Sequence, residues 1–127
     1  MHDAPSPSEI IAAVKSFIDD AAAPQLTGHA AFHARVASNV LATLLRELEQ
    51  RPAAESDEAA RLRAMLKADP NDSLEAMNRD LCARIRDGEL DAATPGLFAH
   101  LKTTTIAQLS IDQPNYSGLK AALAKPA

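Results

Sequence analysis

The stretch GHAAFHARVASNVLATLLRELEQR, residues 28–51, decides the fold class. After Gly28 it holds neither glycine nor proline. Phe32, Val36, Val40, Leu41, Leu44, Leu45 and Leu48 recur at intervals of three and four. At 100° per residue such a set lies along one side of an α-helix, and nothing in it alternates as a strand would. Pro52 has no N–H to give the preceding turn, so this helix is predicted to stop near Arg51.

The same logic extends outward. Ser6-Pro7-Ser8-Glu9 reads as a helix start, with Ser6 as cap, Pro7 where its missing N–H costs nothing, and Glu9 closing a capping box. Ile10, Ile11, Val14, Phe17 and Ile18 then predict a helix over about 7–23, ended near Pro24. Downstream, Leu62, Met65 and Leu66 mark a third helix over about 56–68, followed by a turn at Asp69-Pro70-Asn71-Asp72. Asp72 or Ser73 caps a fourth, with Leu74, Met77, Leu81 and Ile85 as its stripe and Gly88 at its end. Thr94-Pro95 repeats the cap-then-proline start for a fifth, carrying Leu97, Phe98, Leu101 and Leu109 out to about Ile111. Residues 112–116 read as a turn, Leu119–Leu123 as room for one short helical piece, and the last four residues as a fraying end.

The expected organisation is a flexible lead at 1–6, a single helical domain at 7–116 and a tail at 117–127. The fold class is all-α, a compact bundle of about five helices, mostly antiparallel because the connections are short. A chain of 127 residues with 46% hydrophobic and 24% charged residues suits one such domain. Alanine dominates the apolar set, tryptophan is absent and aromatics are 3%. Thin helices therefore pack closely around a core of modest volume, one that a second copy or a partner can complete.

Composition also removes function classes. A formal net charge of −4 argues against nucleic acid, whose phosphates need a basic face. The single cysteine, Cys82, has no internal disulfide partner, which fits a reducing cytoplasm. No secretory leader is read in the N-terminal residues, and no apolar run reaches the length of a membrane span. The expected location is cytoplasmic.

Three constellations carry candidate chemistry. His29 and His33 stand four apart on one helix face, a spacing that can hold zinc, with His100 or Cys82 as conceivable third ligands. The plainer reading makes His33 a core histidine, His29 a residue at the helix entrance and Cys82 an inert buried thiol. Arg35 and Asn39 are also four apart, with Arg46 further along. An arginine fork beside a carboxamide suits an anion or a partner's acidic residue, or else an inter-helix polar network. On the fourth helix Asn78, Arg79, Asp80, Arg84 and Arg86 form a polar run, with Asp80 and Arg84 spaced as an ion pair. That run is either a docking surface or the solvated side of an amphipathic helix. There is no Gly-x-Ser-x-Gly, no phosphate-cradling glycine loop and no calcium-loop spacing at 69–72, so no catalytic residue and no cofactor are assigned.

Three segments taken together resemble a known family. They are FHARVASNVL at 32–41, MNRDLCARIRDGELD at 77–91, and the stretch from Pro95-Gly96-Leu97 to Asp112-Gln113-Pro114-Asn115-Tyr116. The chain resembles, over about residues 7–116, a bacterial family of small helical proteins of unknown function encoded beside aminoglycoside-phosphotransferase-like kinases and acyl-CoA dehydrogenases. It is similar to the small accessory subunit of levulinate-type hydroxyacyl-CoA kinases. The resemblance implies a kinase partner that phosphorylates a 4-hydroxyacyl-CoA, with the dehydrogenase-like protein, which then eliminates phosphate, as a further partner. It carries no active-site residues. The positions matching the family's polar motifs are His33, Arg35, Asn39, Asn78, Arg79, Arg84 and Arg86.

The leading expectation is thus a non-catalytic accessory subunit of such a kinase, with self-association as an added expectation. The alternative is a helical module that binds acyl-CoA or another anion in a groove lined by Arg35, Asn39 and Arg79. A metal-dependent enzyme built on His29 and His33 is the third.

Overall fold

The computed structural model describes residues 4–124. It contains α1 (Pro7–Ser16), α2 (Gly28–Leu66), α3 (Leu74–Arg86), α4 (Leu97–Asp112) and α5 (Ser117–Ala124). A π-helical segment, Phe17–Ala22, and a 3-10 turn, Ala23–Gln25, continue α1. No strand occurs among the described residues. The all-α class and the count of five hold, but the count is reached differently. The helices expected at 28–51 and 56–68 are one element, and the short piece expected in the tail is a helix of its own. Residues 1–3 of the lead and 125–127 of the tail lie outside the described residues.

Pro52 does not end α2, contrary to the sequence expectation. It leaves the Leu48 carbonyl without its usual donor, but both flanks favour helix. The sequence AAESDEAAR at 53–61 holds no glycine, and Arg51 pairs with Glu55 at 3.8 Å across one turn. The start of the helix after residue 91 also differs from the sequence expectation. The Thr94 hydroxyl accepts from the Asp91 N–H at 2.9 Å and so is taken up within the preceding turn. Gly96 becomes the N-cap of α4, at φ +83°, a left-handed conformation that glycine adopts without a Cβ clash.

Other ends follow the sequence. The Glu9 N–H donates to Ser6 Oγ at 3.3 Å, and the Ser6 N–H donates to Glu9 Oε2 at 2.6 Å, completing the capping box. The Ser6 backbone N–H first, and the Ser6 hydroxyl second, hold the Glu9 carboxyl below its ordinary value. Ser73 Oγ accepts from the Ala76 N–H at 3.1 Å at the start of α3.

The chain divides into two compact units, residues 1–50 and 51–127, and α2 contributes to both. In the first, half-buried residues form two stripes: Ser8, Ile11, Lys15 and Ile18 on one side, Ala31, Ala34, Leu41 and Leu45 flanking buried Ser38 on the other. Asp19 is held below its ordinary value chiefly by Lys15, which pairs with it at 2.5 Å, and then by Ser38. No apolar side chain of this unit is buried among the described residues.

The second unit has the core. Leu62 and Leu66 from α2, Met77 and Leu81 from α3 and Leu97 from α4 are buried together, flanked by Met65, Leu74 and Leu90. Each such side chain is worth about 1.5–3 kcal/mol when removed from water. Ile111 and Leu119 are buried as well.

Candidate functional site

On α2 the residues Phe32, Val36, Val40, Leu44 and Leu48 step by four along the helix. All five are exposed, Phe32 at 58% and Val40 at 60%. Successive members rotate by about 40°, which makes them one of the i±4 ridges by which helices pack into each other's grooves. The sequence reading placed this set with the core. The structure instead seats the smaller residues Ala31, Ala34 and Ser38 on the inner side, and the large ones face water. Ile10, Val14 and Phe17 of the preceding helical segments are likewise exposed.

His29 and His33 lie at the start of this ridge. Their rings stack with centroids 6.2 Å apart, and Phe32 meets His33 edge-on at 5.5 Å. His33 is exposed, so the expected core histidine is not one: it falls on the far side of the helix from Ala31, Ala34 and Ser38. Among the described residues no group of three His, Cys, Asp or Glu side chains is placed to hold a metal ion. Arg35 and Asn39 are both exposed on α2. Arg46 donates to the Thr43 hydroxyl at 2.9 Å.

The polar run of α3 separates into different roles. Asn78 Nδ2 donates to Glu58 Oε1 at 2.7 Å, a link within the second unit. Arg79 pairs with Glu75 at 2.6 Å, and Arg84 with Asp80 at 2.8 Å, each one turn away. Arg86 is exposed. Cys82 is exposed too, correcting the expectation of a buried thiol, because it sits 100° around the helix from buried Leu81.

The second unit also holds a cavity of about 570 Å³. Arg61 and Met65 of α2, Leu90, and the Thr94-Pro95-Gly96 approach to α4 line it together with His100. Arg61 donates to Thr104 Oγ1 at 3.2 Å, while its Nε is buried without a partner. His100 is 2% exposed, and its Nδ1 has no partner either. Burial, followed by the Arg61 charge, pushes the His100 imidazole below its ordinary value, so it is neutral at pH 7. Arg35, Asn39 and Arg79 do not line this cavity: the first two belong to the first unit and Arg79 to the second. The sequence reading missed Arg61 and saw His100 only as a spare metal ligand. A polar residue on the inner side of an apolar stripe was the available signal, since His100 lies three residues after Leu97.

One family matches the chain, over residues 24–116, and is described as a domain of unknown function (DUF6285). No curated protein and no solved structure matches it. No helix among the described residues is long and apolar enough to cross a membrane.

Proposed function

We propose that this chain, which belongs to the family of the domain of unknown function DUF6285, is a cytoplasmic, non-catalytic accessory subunit whose α2 ridge docks on a partner enzyme. The exposed ridge from Phe32 to Leu48 carries the reading. A unit with no buried apolar side chain among its described residues presents five large ones at packing periodicity. Covering their exposed halves is worth about 1 kcal/mol each, enough to matter beside the stability of a small domain. Arg35 and Asn39, exposed on the same helix, supply polar groups of the kind found around an apolar interface centre.

The motif resemblance supplies the partner: an aminoglycoside-phosphotransferase-like kinase acting on a hydroxyacyl-CoA, with an acyl-CoA dehydrogenase-like protein as the next candidate. An accessory helical subunit acts there by ordering the kinase or its long thioester substrate, an effect of positioning rather than chemistry.

The test is reconstitution. The chain is mixed with that kinase from the same organism, sized with light scattering, and assayed for ATP-dependent phosphorylation of hydroxyacyl-CoA. A complex with activity only in the mixture, both lost in Val40→Glu, supports the reading. Light scattering of the chain alone identifies a second copy as the occupant of the ridge, in which case Val40→Glu yields monomers and the kinase reading falls. Absence of any complex with the kinase and unchanged kinase activity also overturn it.

A further inference from the structure

Three independent features converge on the cavity of the second unit. The first is the N-terminus of α4, a 16-residue helix. Gly96 caps it with no side chain, and no acidic residue stands in its first turn. The leading N–H groups of such a helix, with the aligned peptide dipoles behind them, favour negative charge. The second is His100, one turn into the same helix. It is 2% exposed, lines the cavity and leaves Nδ1 unpartnered. Buried polar atoms in folded proteins almost always have a partner; this Nδ1 is closed off from solvent as well, so a ligand atom that partners it requires the ring to turn toward the cavity it lines. The third is Arg61, brought from α2 to the same cavity, with its Nε also buried and unpartnered.

The remaining wall sets the rest of the ligand. Met65, Leu90 and Pro95 make most of it apolar, Thr94 and Thr103 add two hydroxyl-bearing residues, and no carboxylate lines the cavity. The acidic group that acts on His100 is Glu58, whose carboxylate already accepts from Asn78. A volume of about 570 Å³ lies within the range of small-molecule sites.

We propose that this cavity binds a small organic oxyanion, a carboxylate or phosphate monoester with a short apolar body, its charged end held by Arg61, His100 and the first turn of α4. Neither the ridge of the first unit nor a partner enzyme enters the argument, so this site stands or falls separately from the accessory role. Arg61 supplies a fixed positive charge and a planar set of donors. His100 in its neutral form donates one N–H. The apolar wall takes the ligand's alkyl part and separates a short acyl or alkyl anion from inorganic phosphate.

The experiment is calorimetric titration of the full chain with pentanoate, n-butyl phosphate and, as the uncharged isostere, pentanamide, with nitrogen NMR of the His100 ring in parallel. The expected result is saturable binding of at least one anion, movement of the His100 ring resonances, and no binding of the amide. Which anion binds more tightly names the oxyanion. Arg61→Gln is expected to weaken binding by about tenfold or more, the scale of one charge-assisted hydrogen bond, while Arg61→Lys retains part of it. Failure of both anions to bind the unaltered chain at millimolar concentrations overturns the site. So does equal binding of the amide, or anion binding that leaves the His100 ring unmoved.

Discussion

Asn78 Nδ2 lies 2.7 Å from Glu58 Oε1 and fastens α3 to α2 inside the second unit. A part-buried hydrogen bond to a carboxylate leaves that carboxylate underserved when the donor is removed. Asn78→Ala is therefore expected to cost about 1.5–3 kcal/mol in urea unfolding. Arg79→Ala, one residue further on, removes an exposed one-turn ion pair and is expected to cost less than about 0.5 kcal/mol. The opposite order would show that Arg79, not Asn78, braces α3.

Pro52 sits inside α2 with a helical residue on either side. Pro52→Ala restores the missing donor to the Leu48 carbonyl and removes the ring's clash with it. The expected gain is up to about 3 kcal/mol, read as a higher urea midpoint and melting temperature. An unchanged midpoint would mean the proline is already fully accommodated.

His100 makes stability depend on pH. Its folded pKa lies below the ordinary 6.5 because of burial first and the Arg61 charge second, against an opposing pull from Glu58. The unfolded chain therefore takes up a proton that the folded chain excludes. Stability from this group is complete above pH 6.5 and declines as pH falls from there through the folded pKa. Urea midpoints are expected to drop between neutral pH and about pH 5, and His100→Gln to flatten that drop. A profile unchanged by the substitution would assign the decline to other groups.

Lys67 holds φ +53° just past the end of α2, the described non-glycine position with positive φ. A Cβ crowds the backbone there, and glycine does not have one. Lys67→Gly is expected to raise stability by about 1 kcal/mol, since the position is the usual place for a helix-ending glycine. Chemical denaturation checks this, and a fall in midpoint would mean the lysine side chain contributes more than the strain removes.

What was legible in the sequence was local. Ser6, Glu9 and Ser73 cap where their residue types say, because a hydroxyl or carboxylate bonds N–H groups three residues away whatever the tertiary fold. Leu62, Leu66, Met77 and Leu81 are buried as their spacing indicates. Pro52 misled because a proline weakens one carbonyl's bonding, while helix-favouring residues on both sides decide whether the helix goes on. Thr94 misled because its hydroxyl found Asp91 first. The side of α2 that faces water was not legible, since periodicity finds an apolar stripe without saying whether the same chain covers it. Arg61 and His100 are 39 residues apart, and only folding puts them on one cavity.

The bare first unit has a consequence for how the chain fares in a cell. With Ser38 its sole buried residue among those described, its helices open at little cost, and cleavage by proteases follows the population of open forms. If a partner covers the Phe32-to-Leu48 ridge as proposed, copies without one are expected to be cleared faster than covered ones. On the accessory-subunit reading proposed above, the amount of this protein is then set by the supply of the partner that shields it, so that stoichiometry is enforced by turnover rather than by matched synthesis.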